Sequence, residues 1–124
     1  MSQAAKTVLV VEDYDDTRDM IRMLLEMKGC RVVEAANGKS GVEEARREKP
    51  ALIFMDLNLP VLDGFKATEE IKKEAGLLHI PVIAMSAHCW DFDWKEKALG
   101  AGCVECVGKP LEFEVVGRMV DRYC

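Results

Sequence analysis

Short apolar runs alternate with helical patterns of about ten to fifteen residues along the whole chain. The run at residues 51–55 is apolar throughout, and the run at residues 8–11 lacks the alternation of a half-exposed strand. Strands of this kind are buried on both faces, as in a parallel sheet that helices cover on both sides. The sequence therefore predicts an α/β fold of five βα units joined by right-handed crossovers.

The predicted elements follow one another without a linker or an internal repeat. Asp15 or Asp16 is expected to cap the first helix and Asp91 the fourth, because a short polar side chain accepts hydrogen bonds from free N–H groups. Gly29 is placed to end the first helix, and Pro50 stops the second. Gly76 is expected near the end of the third helix, and Gly100 or Gly102 at the end of the fourth. The expected strands lie at residues 7–12, 31–35, 51–55, 80–85 and 103–107.

The 124 residues include 17 basic and 22 acidic side chains, for a net charge of −5. No run of Lys or Arg is long enough for an electrostatic footprint on nucleic acid, so direct nucleic-acid binding is not expected. The apolar stretches are far shorter than the roughly 18 residues that a membrane span needs, and the N-terminus shows no secretion pattern. These features predict a cytoplasmic protein without membrane insertion. We expect one domain over residues 7–124, after a flexible N-terminus of residues 1–6.

Five cysteines, an odd number, are spread along the chain rather than set at framework spacings, which predicts free thiols in a reducing compartment. Cys103 and Cys106 match the C-x-x-C pattern of redox and zinc motifs. The pattern falls in a predicted strand, where residues three apart point to opposite faces, so a shared bond or metal is not expected there.

Polar residues stand where the predicted strands end. Glu12 and Asp13 end the first strand, Asp56 follows the third, Ser86 the fourth and Lys109 the fifth. The carboxyl ends of parallel strands meet at one edge, where open α/β sheets bind their ligands. Three carboxylates brought together there repel one another unless a cation is bound or some of them are protonated. Their oxygens favour a hard cation, and Mg²⁺ is the natural occupant.

An aspartate held beside Mg²⁺ is a nucleophile suited to phosphoryl transfer. Lys109 can neutralise charge on the transferred oxygens, and the Ser86 hydroxyl can donate to one of them. The strand-end residues therefore predict Asp56 as an acceptor of a phosphoryl group.

This set of residues resembles the receiver domains of response regulators, and the resemblance covers residues 8–123. It implies a flavodoxin-like, doubly wound sheet of five parallel strands in the order 2-1-3-4-5. The motifs that carry it are Glu12-Asp13, Asp56, Pro60, Asp63-Gly64, Ser86-Ala87 and Lys109-Pro110.

The resemblance also implies the role of each site residue. Asp13, Asp56 and the backbone carbonyl of Asn58 are expected to bind Mg²⁺, for which Mn²⁺ can substitute, and Glu12 is expected to act through metal-bound water. The phosphoryl group is expected to come from a histidine kinase or a phosphotransfer protein. Ala87 and Pro110 are expected to support the site, with a cis Lys109–Pro110 bond.

The resemblance predicts a stand-alone, chemotaxis-type response regulator that signals through a separate, unidentified downstream protein. Such a protein assists its own phosphorylation and dephosphorylation but turns over no external substrate. The face formed by the fourth helix, fifth strand and fifth helix is the expected contact surface.

Cys106 departs from the family pattern, because receivers usually carry Tyr or Phe three positions before the lysine. Either a different side chain reports the phosphate here, or the switch is confined to backbone loops. Trp90, Phe92 and Trp94 form either a partner-docking patch or simple packing, with at least one ring in the core. His88, two residues after Ser86, is placed to tune the lifetime of the phosphorylated state.

Three other functions are possible for an α/β chain of this kind. A flavin carrier needs a phosphate loop rich in Ser, Thr and Gly after the first strand, whereas residues 12–16 are mostly acidic. An Asp-nucleophile phosphohydrolase needs a general acid near its nucleophile, where the chain has Asn58. A degenerate receiver that acts only as a scaffold remains the alternative, and the intact Asp13, Asp56, Ser86 and Lys109 argue against it.

Overall fold

A computed structural model describes residues 5–124, so residues 1–4 of the predicted flexible N-terminus lie outside the described part of the chain. Over this range, strands and helices alternate strictly. The strands are β1 (Thr7–Val11), β2 (Arg31–Ala35), β3 (Leu52–Asp56), β4 (Val82–Ser86) and β5 (Glu105–Gly108). The helices are α1 (Asp15–Met27), α2 (Gly38–Glu48), α3 (Gly64–Lys72), α4 (Phe92–Ala101) and α5 (Phe113–Tyr123).

The five strands form one sheet in the order β2-β1-β3-β4-β5, and every neighbouring pair is parallel. The predicted five-stranded α/β fold and its strand order are confirmed. In the register of β1 and β3, Val11 lies opposite Met55, so Glu12 and Asp56 follow at the same edge of the sheet.

Helices cover both faces of this sheet. Successive residues of β1 point to opposite faces: Val8 and Val10 join the core layer of α1 and α5, whereas Leu9 and Val11 join that of α2, α3 and α4. All four side chains are fully buried. Burial on both faces explains why the strands read as continuous apolar runs in the sequence.

The helix ends agree with the predictions in part. Asp91 caps α4 by accepting a hydrogen bond from the Trp94 N–H, and Gly29 lies in the left-handed region just after α1. The prediction that Asp15 or Asp16 caps α1 is wrong. Tyr14 holds the cap position without a side-chain bond, and both aspartates lie in the first turn, where their charge still favours the positive end of the helix.

The cysteine prediction is also wrong for two of the five side chains. Cys89 and Cys106 are joined by a disulfide, with their Cα atoms 5.5 Å apart. The loop between β4 and α4 brings Cys89 back over β5, and 17 residues of sequence separate the pair, so local spacing gave no sign of it. Cys103 lies before β5 rather than in it and is a buried free thiol, as is Cys30.

Within residues 5–124, every helix is too short or too polar to cross a membrane.

Candidate functional site

The carboxyl edge of the sheet carries an open cleft of about 360 Å³. It lies where β1, β3 and β4 end and where the chain leaves β5. The six residues that were predicted to bind metal or take part in phosphoryl transfer line it together: Glu12, Asp13, Asp56, Asn58, Ser86 and Lys109.

Asp56 is the last residue of β3 and is only 3% exposed. Its Oδ1 accepts a hydrogen bond from the Asn58 N–H at 3.0 Å, and its Oδ2 accepts one from Lys109 Nζ at 3.0 Å. Each carboxylate oxygen thus has one fixed donor. A buried carboxylate with fixed oxygens at the end of a central strand is positioned for chemistry rather than for solvation.

Glu12 directly follows β1 and is 1% exposed. Its Oε2 accepts a hydrogen bond from the Tyr14 N–H at 3.1 Å, and its Oε1 lies 2.5 Å from Lys109 Nζ. Arg18 donates to the backbone carbonyl of Glu12 at 2.9 Å, which fixes the start of the loop. The local backbone and Lys109 therefore hold Glu12 in the cleft without direct exposure to water.

Lys109 joins the two buried carboxylates through one ammonium group. Burial acts to lower the pKa of Lys109, but the hydrogen bonds and charges of Glu12 and Asp56 outweigh burial and raise the pKa above its usual value. The lysine therefore keeps its positive charge at neutral pH, next to Asp56.

Glu12, Asp13 and Asp56 form an acidic cluster in which one oxygen from each residue lies within 4.8 Å of the others. Glu12 and Asp56 are buried, whereas Asp13 is exposed and opens the cluster to solvent. Carboxylate oxygens of this kind, with room for retained waters, fit a hard divalent cation such as Mg²⁺ or Mn²⁺. The donor set is thus compatible with the predicted metal.

Ser86 is the last residue of β4 and is 5% exposed. Its Oγ accepts a hydrogen bond from the His88 N–H at 3.0 Å, so its own hydroxyl hydrogen remains available for another acceptor. The Lys109 N–H donates to the Ser86 carbonyl at 3.1 Å, which ties the ends of β4 and β5 together.

Of the residues expected to support the site, some lie at the cleft and one does not. Ala87 lines the cleft and is exposed, and the Lys109–Pro110 peptide is cis, as expected. Cys106 is absent from the cleft lining: it lies on β5 opposite Ala84 and is bonded to Cys89.

Two further residues, Tyr14 and Thr17, line the cleft and are not predicted from the sequence. They follow the acidic pair at the start of α1, so their nearness to Glu12 and Asp13 was the available signal.

The aromatic residues after Ser86 divide into two groups. Trp94 packs against the core and makes edge-to-face contacts with Phe65, at 5.1 Å between ring centroids, and with His88, at 5.2 Å. Trp90 and Phe92 are 81% and 73% exposed. The expectation that at least one ring belongs to the core is confirmed, and the docking role stays a prediction.

Comparison with known proteins identifies the family. The response regulator receiver domain model matches residues 8–121. The chain belongs to the response regulator receiver family. Receiver domains are signalling modules of two-component systems, in which Mg²⁺ binding and an aspartyl phosphate are typical.

Curated relatives and solved structures show which receivers this chain is similar to in sequence and fold. It is 35% identical over 118 residues to the polar-differentiation response regulator DivK of Brucella anthropi, covering 95% of each chain. It is 34% identical to the receiver domain of sensor histidine kinase PA1611 from Pseudomonas aeruginosa, with a TM-score of 0.89. The match covers 97% of this chain and 98% of that one. The PA1611 structure has a magnesium ion coordinated in the active site cleft. The chemotaxis protein CheY4 of Vibrio cholerae shares the fold, with a TM-score of 0.91 at 23% identity and coverage of 98% and 100%.

Proposed function

We propose that this receiver accepts a phosphoryl group on Asp56 in a Mg²⁺-dependent reaction and signals through phosphorylation-dependent contacts with a separate protein. One observation carries the proposal: Asp56 is a buried nucleophile candidate whose oxygens face a lysine ammonium and two further carboxylates. The donor is a histidine kinase or a phosphotransfer protein, as is general for response regulator receivers. Residues 7–124 form the receiver domain in this proposal, and it acts in the cytoplasm.

Each cleft residue then has a distinct role. Glu12, Asp13, Asp56 and the Asn58 carbonyl would hold Mg²⁺, which supplies charge neutralisation for the oxygens of the transferring group. The Asp56 carboxylate oxygen attacks the phosphorus and forms an O–P bond, while the P–N bond to the donor's histidine breaks and the imidazole leaves with the electron pair of that bond.

Lys109 and Ser86 act on the group after it arrives. Lys109, charged and 3.0 Å from Asp56 Oδ2, pairs with a phosphoryl oxygen. Ser86 donates its hydroxyl hydrogen to another oxygen, which draws the β4–α4 loop (residues 87–91) toward the cleft.

The phosphoryl group changes the charge of the cleft. The acyl phosphate carries about −1.5 to −2 charges where the Asp56 carboxylate carried −1, and it brings three acceptor oxygens beside Glu12 and Asp13. The new charge strengthens the attraction of Lys109 and biases the position of the β4–α4 loop, which is the conformational event that a partner would detect. His88 lines the cleft next to Ser86 and is placed to influence access of water to the phosphoryl group. The protein thus assists its own phosphorylation and dephosphorylation and turns over no external substrate.

Intact mass after incubation with acetyl phosphate tests the proposal. We expect one phosphoryl adduct in Mg²⁺ or Mn²⁺, none in chelator, and none for Asp56→Asn. Asp121→Asn, a change at an exposed carboxylate on α5, is the matched control and should keep the adduct. No adduct in any condition, in a protein that remains folded, would contradict the proposal and favour the scaffold alternative.

A further inference from the structure

The Cys89–Cys106 bond connects the site to the neighbouring edge of the sheet. Cys89 lies on the β4–α4 loop, three residues after Ser86, and Cys106 lies on β5, three residues before Lys109. Their Cα atoms are 5.5 Å apart, within the usual range for a disulfide. The bond therefore ties the loop that follows Ser86 to the strand that precedes Lys109.

The two bonded cysteines differ from the buried free ones in accessibility. Cys89 and Cys106 are half-buried, so a small reagent can approach the pair from solvent. Cys30 and Cys103 are buried, and Cys103 lies 3.7 Å from the Thr68 hydroxyl within the core. Thiol chemistry with a small reagent is thus expected at the Cys89–Cys106 pair before it reaches the core cysteines.

The same fold can also accommodate the reduced pair. Cys89 Sγ lies 3.3 Å from the Val107 carbonyl, so a thiol at this position has a hydrogen-bond acceptor in place. Reduction of the bond therefore leaves the Cys89 thiol with a hydrogen-bond partner on β5. Disulfides in a reducing compartment are usually transient and redox-sensing rather than permanent.

We propose that Cys89 and Cys106 form a reversible dithiol–disulfide pair, and that the oxidised pair restrains the β4–α4 loop and slows phosphorylation. The restraint on the loop follows from the bond alone. The effect on phosphorylation rests on the proposed function of Asp56.

The oxidant is a low-molecular-weight disulfide, RSSR. The thiolate of one cysteine attacks RSSR, forms a mixed disulfide and releases one RS⁻, which takes up the proton that the cysteine has lost. The second cysteine's thiolate then attacks the protein sulfur of the mixed disulfide and releases the second RS⁻, which takes up the second proton. Two protein thiols are thus oxidised by two electrons, and one RSSR is reduced to two RSH.

Equilibration in buffers of reduced and oxidised glutathione, followed by acid quench and alkylation, tests the redox step. Trypsin cleaves after Lys95 and Lys97 and glutamyl endopeptidase cleaves after Glu105, so Cys89, Cys103 and Cys106 fall in different peptides. We expect a linked Cys89–Cys106 peptide that appears and disappears reversibly with the glutathione ratio. Cys103→Ser should leave the transition unchanged, and Cys89→Ser should abolish it. A pair that stays reduced at every ratio, or Cys103 linked in place of Cys89, would overturn the proposal.

Hydrogen exchange tests the loop restraint without any phosphate. We expect slower exchange of the amides of residues 87–91 in the oxidised protein than in the reduced protein, and no difference between oxidising and reducing buffer for Cys106→Ser. Equal exchange of the two wild-type states would overturn the restraint.

Phosphorylation tests the functional effect. With acetyl phosphate and Mg²⁺, we expect adduct formation on the order of tenfold slower for the oxidised protein. The Cys89→Ser variant should react at the reduced rate in both buffers, and equal rates for the two wild-type states would overturn the functional effect. If neither the oxidised nor the reduced protein takes the phosphoryl group, the proposed function of Asp56 fails, and the effect of the disulfide on phosphorylation fails with it. The redox step and the loop restraint are decided separately, by the two preceding experiments.

Discussion

At the scale of single residues, the cleft depends on how Lys109 compensates two buried carboxylates. One ammonium group lies 2.5 Å from Glu12 Oε1 and 3.0 Å from Asp56 Oδ2. Removing one partner of a buried charge cluster is costly because the remaining charges lose their compensation. The same lysine therefore serves both the stability of the resting protein and the charge of the site.

We expect Lys109→Met to lower the free energy of unfolding by about 1–3 kcal/mol in chelator, since Glu12 and Asp56 then lose a charged donor. Mg²⁺ should restore a larger share of stability in this variant than in wild type, because the cation replaces the missing positive charge. Urea unfolding with and without Mg²⁺ measures both effects. Lys66→Met, at an exposed lysine, is the control and should change stability by less than about 0.5 kcal/mol.

A second residue-scale effect concerns the contact between α5 and β5. The Tyr123 hydroxyl donates to Glu105 Oε2 at 2.5 Å, and Arg122 donates to the same oxygen at 2.7 Å. Burial acts to raise the pKa of Glu105, but the hydrogen bonds from Tyr123 and Arg122 outweigh burial and lower the pKa. The ionised glutamate therefore stabilises the fold above its usual pKa of 4.5, and this stability is lost as pH falls through the lower folded-state pKa.

We expect Tyr123→Phe to lower the free energy of unfolding by about 0.5–1.5 kcal/mol at pH 7, because one hydrogen bond to a partly exposed carboxylate is lost. The difference in free energy of unfolding between the variant and wild type should become smaller in acid, once Glu105 is protonated in both proteins. Urea titrations at neutral pH and below the folded-state pKa of Glu105 measure this. If the loss in free energy of unfolding is the same at both pH values, the Tyr123 hydroxyl acts through packing rather than through the ionised Glu105. Tyr14→Phe, at an exposed tyrosine, is the control.

At the scale of elements, α3 is packed directly against the end of β3. A Cβ atom at Gly64, the first residue of α3, would lie 2.1 Å from the Asp56 carbonyl oxygen and 2.7 Å from Leu57 Cα. Both contacts are with backbone, which cannot rotate away as a side chain can. The absence of a side chain at position 64 thus sets how closely the helix approaches the Asp56 backbone.

We expect Gly64→Ala to lower the free energy of unfolding by about 1–3 kcal/mol through overpacking, and to slow adduct formation on Asp56 because the strand end is displaced. Gly100→Ala is the matched control, since Gly100 lies in α4 with nothing within 4 Å of its Cβ position. That change should instead raise stability by about 0.5–1 kcal/mol through helix propensity. Thermal unfolding compares the two variants, and destabilisation of similar size in both would contradict the steric account.

Sequence patterns predicted the helices and strands well where burial determines which positions must be apolar. The strands of the sheet and the polar residues at their ends followed from apolar runs such as residues 51–55, because a strand buried on both faces leaves little choice of residue. The cap of α1 was predicted wrongly because Tyr14 occupies the position where a short polar side chain was expected. The Cys89–Cys106 bond was missed because it depends on the path of a loop over a neighbouring strand.

At the scale of the whole molecule, one sheet separates two core layers, and the cleft lies at the sheet's edge between them. The three strands that lead into the cleft are β1, which Glu12 follows, β3, which ends in Asp56, and β4, which ends in Ser86. They are the central strands of the sheet and are buried apart from the first residue of β1. A ligand held by these strand ends binds the folded state only, so its binding free energy stabilises the entire domain.

We expect Mg²⁺ at about one hundred times its dissociation constant to add about 2.7 kcal/mol to the free energy of unfolding. Asp13→Asn should reduce this gain with little effect on the metal-free protein, because Asp13 is exposed while Glu12 and Asp56 are buried. Asp16→Asn, on the first turn of α1, should keep the gain. Calorimetric unfolding at several Mg²⁺ concentrations measures it, and an equal gain in Asp13→Asn would place the cation elsewhere.

The contact of Trp94 with His88 gives the protein an optical signal of its own. The indole of Trp94 touches His88, which lines the cleft, whereas Trp90 is 81% exposed to solvent. In a Trp90→Phe background, the emission of Trp94 would therefore track the β4–α4 loop without any attached dye. Changes in the position of this loop, on phosphorylation or on closing of the disulfide, can then be followed in real time by fluorescence.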